Sequence, residues 1–163
     1  RLLWNRSTRD MAIASRIFEL AVIWKGWRTK PLRRLPEFVR LQVEGDETIA
    51  IDFCRDTPAT LPTNMTPAGP TFAGQELGAR KLLALFARAE ARDFVDVYLL
   101  AIDFGRDTIH DLARQLDLGL GAQPLAEAIS RLAIYSDGDL PIDHALVPDL
   151  REFFRVWSAE LSA

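Results

Sequence analysis

Residues 74–104 read GQELGARKLLALFARAEARDFVDVYLLAIDF, and whether this stretch is one helix or two decides how the chain folds. Apolar residues recur at helical spacing over Gln75–Arg88, and again over Asp93–Phe104. As one rod, the stretch would hold Lys81 and Asp96 about 22 Å apart, at roughly 1.5 Å per residue. A turn between Ala87 and Arg92 would instead lay two antiparallel helices side by side and bring these charges together. Lys81 makes the question matter. Leu77 and Leu85 flank it at intervals of four, so the lysine projects from an apolar face. An ammonium there needs an anion, or a route to water along the helix edge. Both remain open, because Leu82, Leu83 and Phe86 can define the buried face instead. Asp93 and Asp96, three apart, share a helical face. They could cooperate in a carboxylate site, or belong to an exposed Arg–Asp cluster at a helix start, where acids suit the dipole.

Upstream, the pattern changes period. Phe38–Val43 and Ile49–Phe53 alternate apolar and polar residues around Gly45-Asp46-Glu47, which predicts a β-hairpin. Asp52 stands inside the second of these runs, on the face shared by Ala50 and Cys54. It is either solvent-facing or a catalytic or metal-binding group in a cleft. Before the hairpin, Lys30-Pro31-Leu32-Arg33-Arg34 reads as a basic loop closed by Pro36. Before that, Ile13, Ile17, Leu20, Trp24 and Trp27 mark an amphipathic helix from Met11 to about Trp27. Residues 55–72, with four prolines, read as an irregular loop.

Downstream, the chain is expected to be helical at 108–116, 124–132 and 148–161. Pro124 and Pro148 sit where a first turn tolerates them. Strands in front and helices behind imply an α+β fold, with a sheet lobe at 1–72 and a helical lobe at 73–163. With 163 residues, 48% of them hydrophobic, the chain can bury one good core, in one or two lobes. A net charge of −3 argues against a simple basic-patch nucleic-acid binder, so such a partner must meet a local patch. Lys25, Arg28, Lys30, Arg33 and Arg34 form one candidate; a solvated loop is the equal alternative. Cys54 is the sole cysteine, which excludes an internal disulfide and suits a reducing cytoplasm. No apolar run reaches the roughly 20 residues of a membrane span. His110 and His144 lack partners at metal-ligand spacing. Trp4, Trp24, Trp27 and Trp157 are core or interface anchors, most of them core.

The segment Gly74–Arg88, continued by Ala91-Arg92-Asp93-Phe94-Val95-Asp96-Val97-Tyr98, closely resembles the AbiEii family of bacterial nucleotidyltransferase toxins. That family shows the pattern E-L-A-A-x-K-x-x-A-L…R…R-D-x-x-D-x-Y. The hairpin ending Ala50-Ile51-Asp52-Phe53 resembles its pattern too, as does the Pro/Gly loop that follows. Arg6-Ser7-Thr8-Arg9-Asp10 is similar to its R-x-T-x-D-h-D motif. The resemblance covers about residues 5–120 and is most specific from Lys81 to Asp96.

What the resemblance implies is a nucleotidyltransferase-like mixed sheet followed by a helical bundle, performing Mg²⁺-dependent transfer from a nucleoside triphosphate to RNA. The acceptor end of tRNA is the target it implies, blocking translation, and a cognate antitoxin is the protein partner. Asp10 would hold the metal, and Ser7, Thr8 and Lys81 would contact the nucleotide. Asp96 would act near the attacking hydroxyl. Asp52 is the candidate third acid, with Asp93 and Arg80 beside it as second-tier residues. Such chemistry asks for oxygens held by metal and a cation at the triphosphate. Thr8 is a point where a phosphate would repel the nucleotide, unless its hydroxyl merely serves its turn. Two positions depart from the pattern: Ala12 stands where the second acid belongs, and no Gly-Gly or Gly-Ser loop precedes Arg6. The chain is therefore expected to be truncated in front and to lack a segment between Met11 and Ala12. Two other readings compete: a catalytically inactive nucleotidyltransferase-like binding module, and a plain helical interaction domain.

Overall fold

The structure, a computed structural model, describes residues 11–54, 57–67 and 69–163. It is a mixed α+β architecture, with a three-stranded antiparallel sheet on the N-terminal side and helices through the C-terminal half. The chain divides into two compact units. One holds the described residues up to Pro58 together with Pro67, Gly69 and Pro70; the other holds 59–66 and 71–163.

In the first unit, α1 (Met11–Trp24) precedes β1 (Arg28–Leu35), β2 (Phe38–Glu44) and β3 (Thr48–Cys54), in the sheet order β1-β2-β3. Met11 and Ala12 are the first two residues of α1. The hairpin at 38–53 forms as its alternation predicts. The basic segment before it is not a loop. Arg28–Leu35 pairs along its length with β2, through a two-residue turn at Pro36-Glu37. Pro31 is tolerated because β1 is an edge strand, and the ladder is irregular between Pro31 and Arg33.

α1 also corrects its reading. Its described length stops at Trp24, and Gly26, at a φ of 81°, turns the chain into β1. The stripe of Ile13, Ile17, Leu20 and Trp24 is exposed, Trp24 at 87%. Ala14, Ser15, Glu19 and Val22 are buried instead. Small residues let the helix lie close to Val39, Leu41 and Val43 of β2, all buried. Glu19 is tolerated there because Arg34 of β1 donates to it at 2.6 Å. Periodicity finds a helix but cannot by itself say which side is covered. Of the tryptophans expected to anchor the core or an interface, Trp157 is buried, whereas Trp24 and Trp27 are exposed; Trp4 lies outside the described residues.

In the second unit, the expected irregular loop contains two three-residue strands, β4 (Asn64–Thr66) and β5 (Gly69–Thr71), which begins in the first unit. Then come α2 (Gly74–Arg88), α3 (Ala91–Phe104), α4 (Arg106–Leu116), α5 (Ala122–Ser130) and α6 (Val147–Leu161), with 3₁₀ turns between the last two. Each falls within two residues of its predicted bounds. Pro148 occupies the first turn of α6. The core of this unit gathers Leu82, Leu85, Phe94, Ile109, Leu150 and Phe154. Phe94 meets Phe154 edge to face, with centroids 5.3 Å apart. Gly78 lets α2 approach α4: a Cβ there would come within 2.5 Å of Ile109. Among the described residues, no helix is long and apolar enough to cross a membrane.

Candidate functional site

The question posed by residues 74–104 is answered by a turn. α2 ends at Arg88, Ala89 adopts the left-handed conformation at φ 50° and ψ 46°, and α3 begins at Ala91. Ala89 is the one non-glycine residue at positive φ among the described residues. Such a conformation costs an L-residue roughly 1–2 kcal/mol, so its surroundings must hold it. Its N–H reaches the Leu85 carbonyl at 2.8 Å, and the Tyr135 hydroxyl donates to its carbonyl at 2.9 Å.

This turn brings Lys81 of α2 against Asp96 of α3. The Lys81 ammonium donates directly to Asp96 Oδ2. Both side chains are partly accessible, 33% and 37% exposed. The anion that an apolar-face lysine requires is therefore Asp96, and the pair sits where water still reaches it.

Asp93 lies one turn back along α3 and is wholly buried. It is not part of an exposed Arg–Asp cluster. Arg88 grips it as a fork, Nε to Oδ2 at 2.8 Å and Nη2 to Oδ1 at 2.7 Å. The Glu90 N–H at the start of α3 also donates to Oδ2, at 3.2 Å. Burial pushes the Asp93 carboxyl up, but the bonds and charge of Arg88 with the Glu90 N–H outweigh it, and it rests below its ordinary range. Arg88 is correspondingly raised, first by its hydrogen bond to Asp93, with smaller contributions from the charges of Glu90 and Asp96. Asp93 and Asp96 thus answer different cations.

Arg80, next to Lys81, is turned inward. It donates to Glu76 through Nε at 3.1 Å and Nη2 at 2.8 Å, and its guanidinium lies 4.0 Å from the centre of the Phe72 ring. Glu76 is fully buried and also accepts from the backbone N–H groups of Thr60 and Leu61, at 3.0 and 2.8 Å. Burial pushes its carboxyl up; the Leu61 N–H, Arg80 and the Thr60 N–H bring it below its usual range. Arg80 and Glu76 pin the segment before β4 onto α2.

In the first unit, Asp52 takes the solvent-facing alternative. Arg40 of β2 donates to both its oxygens at 2.6 Å, with both side chains substantially exposed. The Arg40 hydrogen bonds hold the Asp52 carboxyl below its usual value. Ser7, Thr8 and Asp10 lie outside the described residues. Among the described residues no three His, Cys, Asp or Glu side chains gather as a cation would require. Asp52, Asp93 and Asp96 each have a basic side chain as partner, so they do not by themselves fit a metal.

Three partners were missed in the sequence, and two had signals. Arg40 follows from the hairpin, since a turn centred on Asp46 sets residue 40 opposite residue 52. Glu76 and Arg80 are spaced by four on one helix, a standard ion-pair interval. Arg88 had no such signal, because its role depends on the left-handed residue after it.

No protein-family model matches the chain, and neither a curated protein nor a solved structure matches it.

Proposed function

We propose that this chain carries the catalytic end of an AbiEii-type nucleotidyltransferase toxin, built on a nucleotidyltransferase-like fold. It transfers a nucleotide from a nucleoside triphosphate to RNA, with the 3′ acceptor end of tRNA as acceptor and a cognate antitoxin as its restraint. The observation that carries this reading is the Lys81–Asp96 contact. The two most specific residues of the resemblance, fifteen apart in sequence, meet across a helical hairpin and remain accessible. At rest each neutralises the other. When a triphosphate arrives, Lys81 exchanges its carboxylate for phosphate oxygens, and Asp96 is released beside the incoming hydroxyl. The acceptor oxygen bonds to the α-phosphorus, the bond to pyrophosphate breaks, and Asp96 takes the hydroxyl proton. A divalent cation, with Asp10 as ligand, belongs to this reading, but the described carboxylates do not supply its donor set, and no step here depends on it.

A catalytically inactive module of the same class is the second reading. Ala12, where the resemblance calls for a second acid, favours it, lying in the first turn of α1.

The deciding experiment incubates the whole chain with total tRNA, Mg²⁺ and each labelled nucleoside triphosphate in turn, beside Lys81→Ala and Asp96→Ala. Transfer by the parent, lost in both variants, supports the enzyme and names its donor. No transfer with any nucleotide, from folded protein free of antitoxin, favours the inactive module.

A further inference from the structure

The five cations between Lys25 and Arg34 do not form one patch. The register of β1 against β2 changes once, between Pro31 and Arg33, and Leu32 stands outside the ladder. Before this bulge, Arg28 lies opposite Glu44 and Lys30 opposite Gln42. After it, Arg33 lies opposite Arg40 and Arg34 opposite Val39. Strand side chains alternate between faces, and one extra residue inverts the assignment of all that follow. The bulge therefore brings Arg33 onto the face of Arg28 and Lys30, and sends Arg34 to the opposite one.

The contacts agree with this sorting. Val39 is buried on the side that α1 covers, and Arg34 reaches Glu19 of α1. On the other side, the guanidinium groups of Arg33 and Arg40 lie 5.9 and 5.7 Å from the centre of the Phe38 ring. Arg40 is occupied by Asp52. Arg28, Lys30 and Arg33 are exposed, and among the described residues none of the three forms an ion pair.

We infer that the row Arg28, Lys30 and Arg33, on the face of the sheet away from α1, binds the phosphate backbone of an RNA strand. The inference rests on the RNA acceptor of the proposed function and says where that RNA lies in the sheet unit. Residues two apart on a strand are about 6.6 Å apart, at roughly 3.3 Å per residue, a spacing comparable to that of successive phosphates. Guanidinium and ammonium groups on an extended edge strand suit phosphates, and they read no sequence. Leu32 and Leu35 of β1 are exposed as well, so an anionic lipid surface is the rival occupant, which the test separates. The bulge has a double consequence: it withdraws Arg34 for an internal pair and aligns the three remaining cations.

The test measures binding of labelled, unmodified tRNA to the whole chain across a salt series, without nucleoside triphosphate. Arg28→Ala, Lys30→Ala, Arg33→Ala, their triple combination and Arg131→Ala, an exposed cation of the helical unit, are compared, with circular dichroism confirming the fold. Each single variant should reduce the salt slope of log K by about 0.7–0.9, and the triple by about 2–3. Arg131→Ala should keep the parental slope. A triple variant with the parental slope overturns the inference, as does a parent that binds anionic phosphatidylserine vesicles but not tRNA. The two proposals fail separately. Nucleotide transfer by the parent with tRNA binding indifferent to the triple substitution removes the surface and leaves the enzyme. Loss of slope as expected, with no transfer by the parent, does the reverse.

Discussion

The hairpin of α2 and α3 carries two ion pairs made of similar residues on the same two helices, and they are different objects. Arg88–Asp93 closes the turn: the carboxylate is fully buried, held by a two-bond fork and by the N–H of Glu90 just before α3. Lys81–Asp96 lies about two helical turns from the loop and joins two groups that are each about one-third exposed. In the first pair, losing the partner strands a charge away from water. In the second, water can take the partner's place, and so can a ligand. Accessibility, rather than the presence of a lysine beside an aspartate, distinguishes the pair that can serve chemistry from the pair that holds the fold.

The strongest way to break this comparison is to remove Asp93. Its loss leaves Arg88 without its anion and the start of α3 without its acceptor. Breaking one side of a buried pair costs about 3–5 kcal/mol. Arg88 is itself 43% exposed and can recover some hydration, so Asp93→Ala should destabilise the protein by about 2–4 kcal/mol. Urea unfolding measures it. A value within about 0.5 kcal/mol of the parent, the range of an ordinary surface change, would mean that the two pairs are alike.

Acid offers a second, smaller separation. The Asp93 and Glu76 carboxyls are both held below their ordinary values in the folded protein. The unfolded chain therefore binds protons first as pH falls. The stability these groups contribute is fully present above the unfolded carboxylate range, near about pH 4, and drains away as pH drops through the folded values. Urea midpoints should fall steeply below about pH 4. The fall should be shallower in Glu76→Gln. An unchanged acid limb in that variant would show that Glu76 is not held ionised by Thr60, Leu61 and Arg80.

How much of this was legible depended on whether the deciding contact was local. The helices from 74 to 161 were readable because their spacing and end signals sit within each segment, as with Pro148 in the first turn of α6. The Lys81–Asp96 contact was readable as one of two options, since only a turn before Arg92 could create it. The residue that makes the turn was not, because Ala89 is a poor advertisement for a left-handed conformation that glycine usually supplies. β1 was hidden by its proline and charges, features that an edge strand tolerates and a central strand does not. The buried side of α1 was hidden more thoroughly. Its exposed isoleucines and leucine outrank in hydrophobicity the Ala14, Ser15 and Glu19 that it buries, and a distant arginine, Arg34, settles the matter.

The finest distinction concerns the energy of the Lys81–Asp96 contact itself. A partly exposed pair gains little over two hydrated ions, commonly below about 1 kcal/mol, and salt screens what it does gain. A double-mutant cycle with Lys81→Ala, Asp96→Ala and their combination isolates that coupling. It should come out under about 1 kcal/mol and shrink further between low and high salt. The same variants should abolish nucleotide transfer, so the contact would matter far more to activity than to folding. A coupling above about 2 kcal/mol that ignores salt would reverse that order. Lys81 and Asp96 would then be a second structural clasp like Arg88 and Asp93, too costly to part for a triphosphate, and the observation that carries the proposed function would be gone.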